Sequence, residues 1–142
     1  MAPMHSFGDY IDRRSALPAD SLCEAALAVF IHDPTCRAIA VARGQAPVGV
    51  VSREAFMARM ETRGTADRPI LEMIEHELLA VDIHEPAVPF VQRILATRAA
   101  ALLGGFVVTE QGEYRGVCDL ARLAPALMRA GRGGAMIERI CA

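Results

Sequence analysis

The 142-residue sequence contains no lysine, so all 15 of its basic side chains are arginine. That bias fits either a GC-rich genome or a role for arginine in holding an anion. Tryptophan is absent too, and aromatic residues make up only 5% of the chain. They do not cluster with the arginines, and the net charge is -2 with acids and bases interspersed. Both features argue against nucleic acid as a partner. No long hydrophobic run occurs. The best stretch, Ala99 to Val108, carries two glycines and falls far short of the ~18 residues that a membrane span needs. The N-terminal residues Met1 to Phe7 lack the basic-then-apolar order of a signal peptide. Cys23, Cys36, Cys118 and Cys141 show no CxxC spacing, and three lie in apolar segments, which predicts buried free thiols in a reducing compartment. A cytoplasmic protein with no membrane contact is expected.

Catalytic signatures are missing as well. There is no Ser-His-Asp order, no GxSxG, no Walker A and no GxGxxG, so the protein is not expected to be an enzyme. Glu72, Glu75, His76 and Glu77 gather acid around one histidine, but no HExxH accompanies them and His84 lies far along; no metal site is expected. His5 and His32 fall in expected loops without partners. Asp119 beside Cys118 argues against an activated thiol.

What the sequence does contain is a unit used twice. Ala38 to Ala42, a turn at Arg43 to Ala46, Pro47 to Val51 and an amphipathic run from Ser52 are echoed by Gly105 to Thr109, a turn at Glu110 to Glu113, Tyr114 to Cys118 and a run from Asp119. A constant 67 residues separates Val41 from Val108, Gly49 from Gly116 and Ser52 from Asp119. A register held across strand, turn, strand and helix start marks an internal repeat. One copy of roughly 65 residues buries too little to be stable alone, so the copies are expected to share a core. With 53% hydrophobic residues there is ample material for one.

In chain order, residues 1–14 show no periodicity and read as an arm. Ser15 to Pro18 can form a short strand. Ser21-Leu22-Cys23-Glu24 has the form of a capping box, followed by Leu22, Ala25, Ala26, Val29 and Phe30 on one helical face. Asp33-Pro34 ends that helix. The first strand-turn-strand and a helix bearing Ala55, Phe56 and Met60 complete a repeat over 15–62. A connection over 63–77, with a helical turn within Ile70 to His76, leads to a second repeat over 78–130. There Leu78 to Asp82 reads as a strand, and Pro86 suits the start of a helix lined by Val88, Val91, Ile94 and Leu95. Leu120, Leu123, Ala124 and Leu127 face inward from the last helix, which Pro125 should kink or shorten. Residues 131–142 form a tail, with a turn of helix from Ala135 to Ala142.

Each copy thus reads strand, helix, strand, strand, helix, an α/β (α+β) unit. That order, with the junctions Gly49-Val50-Val51-Ser52 and Arg115-Gly116-Val117-Cys118-Asp119, resembles the CBS domain, two of which in tandem form a Bateman module. Gly105-Phe106-Val107-Val108-Thr109, followed by Gly112, Tyr114 and Gly116, is similar in particular to CBS pairs of bacterial cyclic-dinucleotide signalling proteins. The resemblance covers about residues 15–130. It implies a pseudo-twofold pair whose cleft holds an adenine nucleotide (AMP, ADP or ATP) or a related ligand, with no cofactor required. The helix start after the second strand would meet phosphate, as its free N–H groups and dipole favour. Carried over by position, the ligand-binding residues are Leu17, Ile39, Gly49, Val51, Ser52 and Arg53 from the first copy. The second copy gives Val81, Phe106, Cys118, Asp119 and Arg122. Two departures stand out. Ala55 replaces the family's ribose-holding aspartate, while the second copy puts Asp119 where a hydroxyl should be and Arg122 where the aspartate should be.

Ser52 and Asp119 are equally good as plain N-caps. Arg53 and Arg122 can grip phosphate or stand in solvent. The expected function is therefore a regulatory sensor module, homodimeric through its remaining apolar helix faces. The alternative is a dimerisation or protein-interaction module that has lost its ligand.

Overall fold

The computed structural model describes residues 7–63 and 66–129. The expected C-terminal tail, its turn of helix, Cys141 and His5 lie outside them. Two copies of one unit follow each other. Strand β1 (Leu17–Pro18), helix α1 (Cys23–His32), strands β2 (Ala38–Arg43) and β3 (Ala46–Ser52) and helix α2 (Arg53–Arg63) make the first. After a short 3-10 turn at Ile70–Met73 come β4 (Ala80–Asp82), α3 (Ala87–Gly104), β5 (Phe106–Glu110), β6 (Glu113–Cys118) and α4 (Leu120–Arg129). Each copy has its own three-stranded sheet, β1-β2-β3 and β4-β5-β6. The first strand pairs parallel to the second, and the second antiparallel to the third.

The 67-residue register survives in the pairing itself. Val41 faces Gly49 and Val108 faces Gly116, and both hairpins shift register one step later, at Val41/Ala42 and Val108/Thr109. A bulge re-aims the strand that carries it, so both hairpins bend at the same place.

Two cores follow. Phe30, Phe56, Ile39, Val51 and Ile70 fill the first; Phe90, Phe106, Leu102, Leu123 and Leu127 fill the second. Between them, Ala38 and Ala40 of β2 meet Val107 of β5 and Val117 of β6. Ala40 and Val107 are the same position of the repeat, so this seam is built like an isologous dimer interface within one chain.

Several local expectations give way to tertiary contacts. The capping box at Ser21 does not form. Leu22 is the N-cap of α1, without a side-chain cap bond. The first helical N–H groups, of Cys23 and Glu24, instead donate to the carbonyls of Arg68 and Ala66 in the connection. With the helix start bonded to that strand-like segment, Leu22 is exposed, and the buried face of α1 is Cys23, Ala26 and Phe30. Helix α4 runs through Pro125, which sits on its exposed side and deprives the chain of one backbone donor. Ala126, rather than Ala124, is buried there.

Residues 7–14 are packed rather than trailing. Phe7 is fully buried, edge-on to Phe90 at 5.5 Å and Phe106 at 5.9 Å between ring centres. Asp12 exchanges both backbone hydrogen bonds with Val117. The N-terminal segment of the chain is thus a part of the second core. The segment that precedes the second repeat does the converse. Met73 is buried in the first core, with Ile74 packed against it.

This exchange accounts for the glycines of both junction motifs. A Cβ on Gly49 would lie 2.7 Å from Ile74 Cδ1, and one on Gly116 would lie 2.7 Å from the Asp12 carbonyl and 3.0 Å from Ile11 Cδ1. Each glycine is the point where the other copy's lead-in segment crosses the sheet.

Candidate functional site

The exchange creates two pseudo-equivalent places between the copies, each bounded by the start of the helix that follows the third strand. The first is open. A cleft of about 470 Å³ lies between Val50, Ser52 and Ala55 on one side and Leu78, Leu79 and Gly105 on the other. Ser52 is half-buried at the junction of β3 and α2, and its Oγ accepts a 3.3 Å hydrogen bond from the Ala55 N–H. This is a helix cap, and it also presents a hydroxyl to the cleft. The far wall comes from the end of α3. Within that helix Arg98 leaves helical geometry (φ -144°, ψ 52°). Just before it, Thr97 Oγ1 donates back to the Arg93 carbonyl at 3.1 Å, a bond that bends helices. The turn beyond the bend carries Ala100, Ala101 and Gly104 to the cleft, where small side chains leave the space free.

The second place is filled. Asp119, the counterpart of Ser52, is buried at 4% exposure and accepts the Arg122 N–H at 2.9 Å, so it too caps its helix. A guanidinium from the first copy clasps it from outside: Arg37 Nε and Nη2 donate to its two oxygens at 3.1 and 3.0 Å. Asp12 of the N-terminal segment lies 3.5 Å from Arg122 Nη2 and 3.6 Å from Arg14 Nε, and Arg14 Nη2 reaches Asp33 at 2.6 Å. Three arginines and three aspartates neutralise one another at this junction. Hydrogen bonds from Thr35 first, and then Arg14, hold the Asp33 carboxyl well below the usual carboxylate range. Burial, reinforced by the Asp119 charge, raises the Cys118 thiol to about 12. That leaves it an inert thiol at neutral pH.

The positions singled out from the sequence are therefore spread over several environments. Ser52 alone among them lines the open cleft, beside Ala55. Asp119 and Arg122 belong to the ion-paired place. Ile39 and Val51 are core residues of the first copy with Leu17 packed on them, and Val81, Phe106 and Cys118 are core residues of the second. Gly49 meets Ile74, as described. Arg53 turns away from the cleft. Its guanidinium donates to the carbonyls of Phe30, Asp33 and Cys36 at 2.6–2.7 Å and lies 5.0 Å over the Phe30 ring. These bonds hold Nε and Nη2 at the end of α1, and Arg53 is not among the residues that line the cleft. Sequence reasoning did not find Arg37, Asp12 or Arg14, nor the contribution of Leu78, Leu79 and Ala101.

Cys23, Cys36 and Cys118 are free and buried. Among the described residues, no group of His, Cys, Asp or Glu is placed to hold a metal ion, and no helix is long and apolar enough to cross a membrane.

No protein-family model matches the chain, and no curated protein matches it in sequence. Solved structures do match. A putative acetoin utilization protein from Vibrio cholerae superposes with a TM-score of 0.67 at 13% identity, over 89% of this chain and 92% of that one. The CBS-pair protein CBSX2 of Arabidopsis thaliana, solved in complex with AMP, gives 0.66 at 16% identity over 90% and 99%. The CBS domain of a bacterial CNNM/CorC family Mg2+ transporter, in complex with ATP, gives 0.66 at 14% over 89% and 87%. The fold of this chain is that of a tandem CBS pair.

Proposed function

We propose that this protein is a regulatory CBS pair that binds one small ligand, an adenine nucleotide or a related adenosine compound, in the open cleft at Ser52. The observation that carries the reading is the asymmetry of the two places. One is a cavity walled by both copies, and the other is closed by the chain's own ion pairs. AMP and ATP in two structural relatives give the chemical class. A ligand touching Val50 and Ser52 on one side and Leu79 and Gly105 on the other bridges the seam. It therefore favours one arrangement of the two copies over another, and this differential affinity is what regulation requires. On this reading the ligand is bound and released rather than transformed.

Thermal unfolding against adenosine, AMP, ADP, ATP and S-adenosylmethionine tests this. At 100 times its dissociation constant a ligand adds about 2.7 kcal/mol to stability. The expected result is a shift with at least one compound, weakened by Ser52→Ala. No shift with any of them at millimolar concentration would sink the reading and favour a purely structural module.

A further inference from the structure

The walls and the rim of the open cleft differ in chemistry. Val50, Met73, Leu79 and Ala101 make an apolar interior suited to a flat base, whereas Glu54, Glu75 and Glu77 bring three carboxylates to the lining. The arginines nearby have partners elsewhere, and His76 adds an imidazole to the lining. Arg53 is spent on the end of α1. Arg59 donates to the Glu72 carbonyl and stands 3.9 Å from Glu75. Arg98, at the adjoining hollow, donates to the Glu77 carbonyl at 2.6 Å. At the helix start itself the cap is a neutral hydroxyl, and two of the N–H donors that would meet a phosphate are taken, that of Arg53 by the Arg37 carbonyl and that of Ala55 by Ser52 Oγ. Among the described residues, no arginine in the lining of this cleft is left to pair with a phosphate.

We infer that the cleft selects an adenosine-type ligand without phosphate or net negative charge, uncharged or net cationic, over nucleotides carrying phosphate. The inference rests on the cleft reading above and narrows it. A phosphate brought to the Ser52 end meets like charge from Glu54 and Glu77, while a cationic substituent is attracted by the same groups. The preference is electrostatic, so it weakens as salt screens it.

Titration calorimetry on the full chain with adenosine, S-adenosylmethionine, AMP and ATP, at low and at physiological salt, decides it. Adenosine or S-adenosylmethionine is expected to bind at least tenfold more tightly than AMP, equivalent to about 1.4 kcal/mol. The gap should widen at low salt and shrink in Glu54→Gln/Glu77→Gln. Both glutamates are exposed, so the double variant keeps its fold, which circular dichroism checks; Glu77→Gln alone serves if it does not. AMP binding as tightly as adenosine, or a gap indifferent to the substitutions, overturns the inference. If Ser52→Ala still weakens AMP, the cleft reading survives that outcome. Binding of none of the four removes both.

Discussion

The two junctions between the copies start from the same backbone and end in opposite states. At both, a glycine lets a lead-in segment cross the sheet, and a capping residue opens the following helix. In the first, the connection passes Gly49 and then stands off from Val50, leaving a cavity. In the second, the N-terminal segment passes Gly116 and hydrogen-bonds to Val117 through Asp12, and the space beyond is stitched by Arg14, Arg37 and Arg122. Repetition of a fold thus does not repeat a site. A handful of charged side chains, Asp12 and Arg14 on the segment before the repeat and Arg37, Asp119 and Arg122 within it, decides which cleft exists.

Substitutions can break or sharpen this contrast. Phe7→Ala should have the largest effect, about 3–5 kcal/mol of lost stability in urea unfolding, because a fully buried ring leaves a hole between Phe90 and Phe106. It should also loosen the closed junction while leaving ligand binding at the open one within reach. Ser52→Ala should cost about 1 kcal/mol by the same measurement, the value of a helix cap. Asp119→Ser puts the first junction's cap into the second. It keeps a capping oxygen but releases Arg37, whose pairing is shared with solvent, so the stability change should stay below about 1 kcal/mol. Its informative readout is a thermal response to inorganic phosphate, absent in the parent and present once Arg37 is free. A response in neither protein would mean that Asp12 alone keeps the second junction shut.

The smallest effect near neutrality is a difference in alkaline tolerance. Burial raises the Tyr114 hydroxyl to about 12, and burial followed by the Asp119 charge raises the Cys118 thiol to about 12. Both folded values lie above the ordinary ones of 10 and 9. The fold therefore favours the protonated forms. Their contribution is complete below pH 9 and is lost as the pH climbs toward 12. Tyr114→Phe/Cys118→Ala should flatten the fall of the melting temperature above pH 9; an unchanged slope would show that other groups set it.

The repeat was legible because a strand's alternation and a helix's start are local properties, and the constant spacing repeated them in register. Ser52 was legible for the same reason: a hydroxyl at a strand-to-helix junction is a pattern over a few residues. Arg53 sits one position further and carries the same local signal, yet its guanidinium serves the end of α1. Only the three-dimensional path of that helix reveals this. The Ser21 cap failed similarly, since backbone carbonyls of Ala66 and Arg68 took the donors that the serine would have satisfied. Arg37 and Asp119 are 82 positions apart. No periodicity links them, and a charge pair of that separation has no signature in the chain before it is folded.

The embedding of Phe7 in the second core has a consequence for the order in which the molecule is built. Residues 7–14 belong with strands that come far later in the chain; the hydrogen bond from the Tyr114 hydroxyl to the Arg14 carbonyl spans 100 positions. Closing so long a loop costs entropy before it returns any contact. On this geometry the first copy condenses around Phe30 and Phe56 while Phe7 waits, and the N-terminal segment docks only when β6 exists to receive Asp12. Its docking closes the chain upon itself, and refolding should show it as the final and slowest phase.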